Sequence, residues 1–594
     1  MPLAGRQHGN LKQTKHIGVS PRSTSVRVVG GARGSVMRPA ARHQSLYFDY
    51  PHFDFVSPPE LDGSTRRHAV VVVGAGPVGL SAALELARHG VTVVVLDDKG
   101  TVNDGSRAIC IARHSLEGLQ QLGVAQRFTD KALGWTHGTS YFRGHAVFRL
   151  TMPHSANERF PPMQNLQQQY IEQYLIEHAQ AQSRIELRWH SRVVEAQADA
   201  QGVVLRVATP VGEYNLQADY VLAADGARSV VRQALGLKLS GAAHEGRYVI
   251  VDIKLRSDYP TERRAFFDCA GLAGATVLVH RQPDDIWRID YQLDDDEDEL
   301  TALSETSIRT RIAAIVTMLG ESAPWQLEWW SVYKAYTLCL DDYRHGRVMF
   351  CGDAAHLVPI FGVRGLNSGL ADAMNIGWKL AYVVRGLAPA HLLDSYSPER
   401  RGATLDIFAQ ATKSTRFMSP PTRGHRLLRD ATLALALEHD FARQLLDPRQ
   451  SQPYTYAGSA LSSTTPDDFT AGPGSGAPLR NHRCGDEGFL LDHLGLGFTL
   501  LYFSADGEVP AALRADCAAL AVGDESLQLL VIAAHGARGA SVLVDVDGSL
   551  FVAYGAAPTS CYLVRPDRHV CGRWRQIDGA TLRAALARAL GRIP

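Results

Sequence analysis

Apolar positions along the chain follow three patterns. The first is an unbroken β-branched run from Ala69 to Val73, as in a strand covered on both faces. It is followed by Leu80, Ala83, Leu84 and Ala87 at helical spacing, then by a second apolar run, Val91 to Leu96. The second pattern is alternation with period two. It predicts antiparallel strands over 185–189, 193–198, 203–208 and 213–218, and again over 248–255, 275–280, 287–293 and 328–333, with a helix around 307–319. The stretch 139–150 reads as strands and a turn. The third pattern is helical: 112–122, a helix opened by Asn165 and running to about Gln182, a long helix after Gly365, and segments around Leu393, Ile407 and Phe408 and over 427–446. Residues 451–478, rich in Pro, Gly, Ser and Thr, read as a linker. Beyond it, strands at 498–503, 527–533 and 561–564 and helices at 511–520 and 580–590 predict a small α/β domain.

Glycines punctuate these elements in a way that carries chemistry. Gly74, Gly76 and Gly79, with Pro77, form G-x-G-x-x-G between the first strand and its helix, and Asp97 ends the second strand. Gly74 permits the tight turn, Gly76 lets a pyrophosphate approach the backbone, and Gly79 lets helix and strand pack closely. The helix N-terminus offers unpaired N–H groups to an anion, and Asp97 is placed to accept hydrogen bonds from a ribose. Asp225-Gly226 closes a second strand-turn-helix. Gly352-Asp353 opens a third, whose glycine-rich loop leads into the helix after Gly365, with its N-terminal dipole directed back at the loop. The turn Asp104-Gly105-Ser106 brings Arg107 to the start of the next helix; alone, that arginine reads as a solvated surface residue.

Composition narrows the function classes. The 594 residues carry 61 Lys plus Arg and 61 Asp plus Glu, so no basic excess points to nucleic acid. No apolar run is long enough to span a bilayer, and a cytoplasmic setting is expected. The eight cysteines show no C-x-x-C pair or zinc-like spacing, which suits a reducing compartment and argues against a structural metal. His356 has no partner at ligand spacing and reads as structural. Residues 1–66, without an acid before Asp49, read as a disordered basic leader.

The three motifs in this order resemble the single-component flavoprotein aromatic hydroxylases: the class of para-hydroxybenzoate, phenol and 3-(3-hydroxyphenyl)propionate hydroxylases. The resemblance runs from about His68 to Arg400. It implies an α/β fold: a Rossmann-type FAD-binding domain over 67–400 interleaved with a β-sheet substrate domain at about 240–335. A helical extension over 401–450, the linker, and a thioredoxin-like domain over 479–594 without C-x-x-C would follow. It implies that Gly74, Gly76, Pro77, Gly79 and Asp97 bind the ADP part of FAD, with Arg107 beside the pyrophosphate and Gln168 near the flavin. Asp225 and Gly226 match the family's second fingerprint. Gly352 and Asp353 would serve the ribityl chain, and the amides of Gly365, Leu366 and Asn367 the pyrimidine edge of the ring. Ile360 and Leu366 depart from the family pattern.

The implied reaction consumes NAD(P)H and O2 and hydroxylates a small phenolic compound through a C4a-hydroperoxyflavin. A homodimer is compatible with the resemblance. Arg288, Asp290 and Gln292 alternate on one strand face, and Arg288 and Asp290 are the catalytic candidates, although such a face can equally meet solvent. Tyr333 and Tyr336 could line the pocket or fill the core. Two rival readings remain: a flavin dehydrogenase or reductase that does not activate oxygen, and a non-catalytic flavin-binding scaffold. A flavin-dependent halogenase is disfavoured by the absence of W-x-W-x-I-P.

Overall fold

A computed structural model describes residues 44–593 except 270–271, 295, 360, 447–451, 465–467 and 524, so Ile360 lies outside the described residues. The β-branched strand Arg67–Val73 sits in the middle of a sheet, parallel to Val93–Leu96 on one side and Gly212–Ala223 on the other. Ile185–Arg188 and Val348–Phe350 extend it in parallel. Helices Pro77–Arg88 and Gly365–Val384 pack together beside it. The carboxyl ends of these parallel strands carry Gly74, Asp97, Asp225 and Gly352, so separate motifs converge at one edge, where such sheets place ligands.

The second sheet has eight strands. From one edge to the other they are His356–Leu357, Trp325–Cys339, Ser240–Leu255, Ile286–Gln292, Leu272–Arg281, Arg263–Cys269, His137–Phe142 and His145–Thr151. It reaches beyond the expected 240–335, because strands from before and after that block complete it. Its two faces differ. One presents Val249, Val251, Val277, Val279, Trp287, Ile289 and Tyr291 to Ile308, Ile312 and Ile315 of helix Glu305–Met318, forming an apolar core. The other turns towards the first sheet. A three-stranded sheet of Cys110–Ala112, Met163–Asn165 and Leu133–Trp135 lies near it.

The C-terminal unit is a five-stranded mixed sheet with Thr499–Ser504 at its centre. Gln528–Ala533 and then Val542–Val544 run parallel on one side, and Cys561–Val564 and Val570–Trp574 antiparallel on the other. Trp378, Tyr382 and Leu392 share one core with Phe498, Leu582 and Leu586, so this unit is packed onto helix Gly365–Val384.

Three expectations need correction. Residues 44–66 are not disordered: Phe48 is buried, Phe53 N donates to Gly100 O at 2.8 Å, and Ser45 Oγ donates to Glu328 at 2.6 Å. Aromatic side chains supply the burial that a reading based on charge overlooked; residues 1–43 lie outside the described residues. Much of the stretch 451–478 is not a free linker, since Tyr456 and Leu461 are buried against the domains it joins. The helix expected from Asn165 starts at Gln168, because Met163–Asn165 forms a strand first. Among the described residues no helix is long and apolar enough to cross a membrane.

Candidate functional site

Gly74 has φ +105°, and a Cβ there would lie 2.4 Å from the Ala224 carbonyl oxygen, so the turn between the first strand and its helix requires glycine. Gly76 caps helix Pro77–Arg88 without any side-chain hydrogen bond, and Pro77 opens it, which leaves turn amides for an anion. Asp97 accepts from Ala75 N at 2.7 Å and Lys99 N at 3.0 Å, so it also pins the turn; burial raises its pKa. Asp225 accepts from Val231 N at 3.2 Å, and its Oδ1 has no partner.

Asp353 is open to solvent, yet enough protein surrounds it for desolvation to raise its pKa, against the pull of His356 and Arg107. The two observations agree if the carboxylate lines a recess that water enters. Arg107 is exposed, and its charge acts on Asp353 and on Tyr333, whose hydroxyl donates to Val358 O at 3.2 Å. Gln168 fastens the turn that presents Arg107: its Oε1 accepts from Ala108 N at 3.0 Å and its own amide donates to Ser106 Oγ at 3.0 Å.

Helix Gly365–Val384 begins after Val363, a β-branched residue held at φ 59°, a strained conformation. The Asn367 side chain accepts from Ala112 N at 2.8 Å and donates to Val363 O at 2.7 Å, tying the helix start to strand Cys110–Ala112. No side chain caps this N-terminus, so the amides of Gly365 and Leu366 remain available to electron-rich atoms.

The register of the second sheet brings together side chains that are remote in sequence. Across five strands, Arg263 stands opposite His280, His280 opposite Arg288, Arg288 opposite Asp252, and Asp252 opposite Trp329. In the next row Leu278 stands opposite Asp290, and Asp290 opposite Ile250. Arg288, Asp290 and their row neighbours are buried, so this polar face meets the interior and not solvent. Arg288 binds Asp252 through Nε at 2.6 Å and Nη2 at 2.9 Å, and Nη2 also donates to Ser106 O. The turn follows the contour of the row, since a Cβ on Gly105 (φ +73°) would lie 2.1 Å from the Trp329 ring. Arg288 thus ties the turn that carries Arg107 to the second sheet.

Asp290 differs. Its Oδ1 has no partner, and burial pushes its pKa up to about 7 despite Arg288 and Arg263, with Asp252 adding to the rise. Gln292 donates to Ser419 Oγ at 2.9 Å. Nearby, Cys110, Trp135, Met152 and Met163 make a small apolar cluster, and Arg263 acts on the Cys110 thiol. Tyr333 and Tyr336 are half-buried.

Two groups of residues carry roles that sequence reasoning did not find. Asp372, fully buried, accepts from Gly352 N at 3.0 Å and binds His356 at 2.7 Å and Arg400 at 2.7 Å, which fixes the loop bearing Asp353. Glu399 binds Lys379 at 2.7 Å and Arg565 at 2.6 Å, joining the C-terminal unit to the first domain. Beside that junction a cleft is lined by His114, Met374, Tyr456 and Arg568, far in sequence from the polar row.

A family model described as an FAD binding domain matches residues 67–411. Para-nitrophenol 4-monooxygenase of Pseudomonas sp. (strain WBC-3) is 30% identical over 372 residues, spanning 61% of this chain and 90% of that protein. The chain belongs to the single-component FAD-dependent aromatic hydroxylases. The 3-(3-hydroxy-phenyl)propionate/3-hydroxycinnamic acid hydroxylase of Mycolicibacterium smegmatis (strain ATCC 700084 / mc(2)155) is 26% identical over 516 residues, 85% of this hydroxylase and 90% of that one. Among solved structures, the flavin-dependent monooxygenase PieE, in complex with FAD and substrate, shares the fold with a TM-score of 0.75 at 24% identity, covering 89% of this chain and 100% of that chain. Aklavinone-11 hydroxylase, in a ternary complex with FAD and aklavinone, gives 0.70 at 25% identity over 88% and 99%.

This hydroxylase is an FAD-dependent monooxygenase, and its residues fit the cofactor. The glycine turn leaves no room for a Cβ at Gly74, the helix N-termini at Gly76 and Gly365 are uncapped by side chains, and the Asp353 carboxylate is open to solvent.

Proposed function

We propose that the chain hydroxylates a phenolic aromatic compound, consuming NAD(P)H and O2, and that the phenol binds against the polar face of the second sheet. The observation that carries this reading is Asp290: a buried carboxylate with a partnerless oxygen and a pKa near 7, within the fields of Arg288, Arg263 and Asp252. FAD, held by the turn at Gly74, Gly76, Pro77 and Gly79, by Asp97, Arg107, Gln168, Asp225, Gly226, Gly352 and Asp353, and by the amides of Gly365, Leu366 and Asn367, supplies the redox and oxygen-activating chemistry. The chain's own residues orient the phenol and take its proton. Ionised Asp290 accepts the hydroxyl proton, which makes the ring more nucleophilic. Arg288 keeps Asp252 paired and the Arg107 turn in place. Apolar Cys110, Trp135 and Met163 help exclude water. In balance, NAD(P)H gives two electrons, one oxygen atom enters the ring and the other leaves as water.

The C-terminal unit reads as thioredoxin-like. Support comes from its strand order, with two parallel strands on one side of the central strand and an antiparallel hairpin on the other. Redox activity there is not expected: Cys484, Cys517, Cys561 and Cys571 are free and buried, and burial raises their pKa values.

The test is a screen of phenols for stimulated NAD(P)H oxidation with matching O2 uptake. With a responsive phenol, kcat/KM should rise as pH passes about 7, where Asp290 ionises, and Asp290→Asn should flatten that limb. NAD(P)H oxidation that proceeds without oxygen would favour the dehydrogenase reading.

A further inference from the structure

The cleft beside the junction is walled by helix Arg113–Gln121, helix Gly365–Val384 and the C-terminal unit, apart from the glycine turns and the polar row. Three residues of its wall are each more than nine-tenths buried and carry a polar atom that binds nothing among the described residues: Arg568 Nη1, Asn375 Oδ1 and Ser81 Oγ. Arg568 donates through Nη2, to Gly495 O at 3.0 Å and Leu494 O at 3.5 Å, and makes no ion pair among the described residues. The acids whose fields reach it are engaged elsewhere: Glu85 with Arg88 at 3.0 Å and His89 at 3.1 Å, and Asp567 with Arg565 at 2.5 Å. Burial therefore pushes the Arg568 pKa down to about 10. Its backbone stands at φ 63°, a conformation that few non-glycine residues adopt and that clusters at ligand sites. Asn375 Nδ2 donates to Glu399 at 2.7 Å, and since a carboxylate only accepts, the free atom is the oxygen. A buried guanidinium nitrogen, a buried acceptor and a hydroxyl left open in one cleft are costly unless a molecule brings the complementary groups.

We propose that this cleft binds a short aliphatic carboxylate bearing an O–H or N–H on the carbon next to its acid group. The carboxylate accepts from Arg568 Nη1 and from the Ser81 hydroxyl, bringing the negative charge that the arginine lacks. The neighbouring O–H or N–H donates to Asn375 Oδ1, which a plain carboxylate leaves unpaired. Leu119, Met374 and Leu491 supply an apolar wall for the tail. An ammonium donor would also meet the field of Glu117, the remaining acid on the wall, which lies 3.8 Å from His114. Amino and hydroxy acids are therefore separate arms of the test. Such a ligand touches both helix Gly365–Val384 and the C-terminal unit, so its binding stabilises the folded junction by mass action.

The test uses the full-length, flavin-loaded protein, read by calorimetric binding and by thermal unfolding. Valine, leucine and their α-hydroxy analogues are compared with the plain acids of the same carbon skeleton and with the corresponding carboxamides. At least one amino or hydroxy acid should bind with a Kd below about 1 mM and raise Tm with concentration. Its plain acid should bind about 10-fold weaker, and its carboxamide roughly 10- to 100-fold weaker, the spans of a neutral and a charge-assisted hydrogen bond. Arg568→Met should abolish binding and leave flavin content unchanged. Leu491→Trp, which fills the cleft and keeps the guanidinium, should also block binding and serves where the methionine variant does not fold. Arg263→Met, on the second sheet, should bind as the unaltered protein does. No binding anywhere in the series, carboxamides binding as well as acids, or binding that survives either cleft variant overturns the inference. Loss of binding in Arg263→Met overturns it too, because the ligand would then sit on the second sheet. A negative result leaves the hydroxylase reading untouched, since no readout involves turnover.

Discussion

Two buried polar clusters in this molecule hold similar side chains to opposite effect. At the junction with the C-terminal unit, Glu399 accepts from Lys379, Asn375, Ser459 and Arg565, and Arg565 also binds Asp567, so each of these charges faces an opposite one. On the second sheet, His280 and Asp290 are also buried, and His280 Nδ1 and Asp290 Oδ1 bind nothing. A cluster whose charges are all matched acts as a fastener. An unsaturated one bears its desolvation cost until something binds.

The largest expected effect is at the saturated cluster. Glu399→Ala leaves Lys379 and Arg565 buried together without their shared carboxylate and should cost about 3–5 kcal/mol in denaturant unfolding. A loss too small to measure would mean that the junction is not held by charge. Arg288→Met strands Asp252 in the same way and should cost about 3 kcal/mol, with weaker flavin retention because the tie to Ser106 is lost. Arg263→Met should cost less, since Arg263 is coupled to Asp290 only through its charge, without an ion pair. Equal losses from the two arginines would erase the distinction between paired and waiting groups.

The pH dependence of stability should separate the clusters by sign. Asp290 goes from 3.8 when unfolded to about 7 in the native state, so its contribution is complete below 3.8 and is lost as pH rises through 7. Glu399 is opposed by burial but held down by Arg565 and Lys379, so its contribution is present above 4.5 and lost as pH falls. Asp290→Asn should remove a fall on the order of 4 kcal/mol between these limits, read from unfolding curves at pH 4 and pH 8. An unaltered difference would mean that Asp290 is not the titrating group. The smallest effect concerns a carboxylate that is neither saturated nor fully enclosed. Asp353→Ala should weaken flavin binding roughly 10- to 100-fold, as expected for losing an ionised acceptor of hydroxyl hydrogen bonds. Unchanged flavin content would remove Asp353 from the cofactor site.

The glycine turn, Asp97 and Gly352-Asp353 were legible in the sequence because their chemistry is local: a strand, a turn and a helix start within a few residues. The alternation of Arg288, Asp290 and Gln292 was legible for the same reason, but not which face it met, because burial is set by the neighbouring strands. Arg263 was illegible. The segment Arg263–Cys269 was not predicted as a strand, so the register that puts Arg263 and Arg264 on opposite faces of the sheet was hidden. Asp372 and Glu399 were missed because their partners lie 16 to 166 residues away. Residues 44–66 were misread because a charge count does not register the aromatic packing of Tyr47, Phe48 and Phe53.

Turnover of the flavin-loaded protein with NAD(P)H and a responsive phenol under isotopically labelled O2 tests the central claim most directly. The account predicts one labelled oxygen atom in the ring product, with consumption of O2 matching that of NAD(P)H. Product without label, or NAD(P)H oxidation that persists when oxygen is removed, would contradict it.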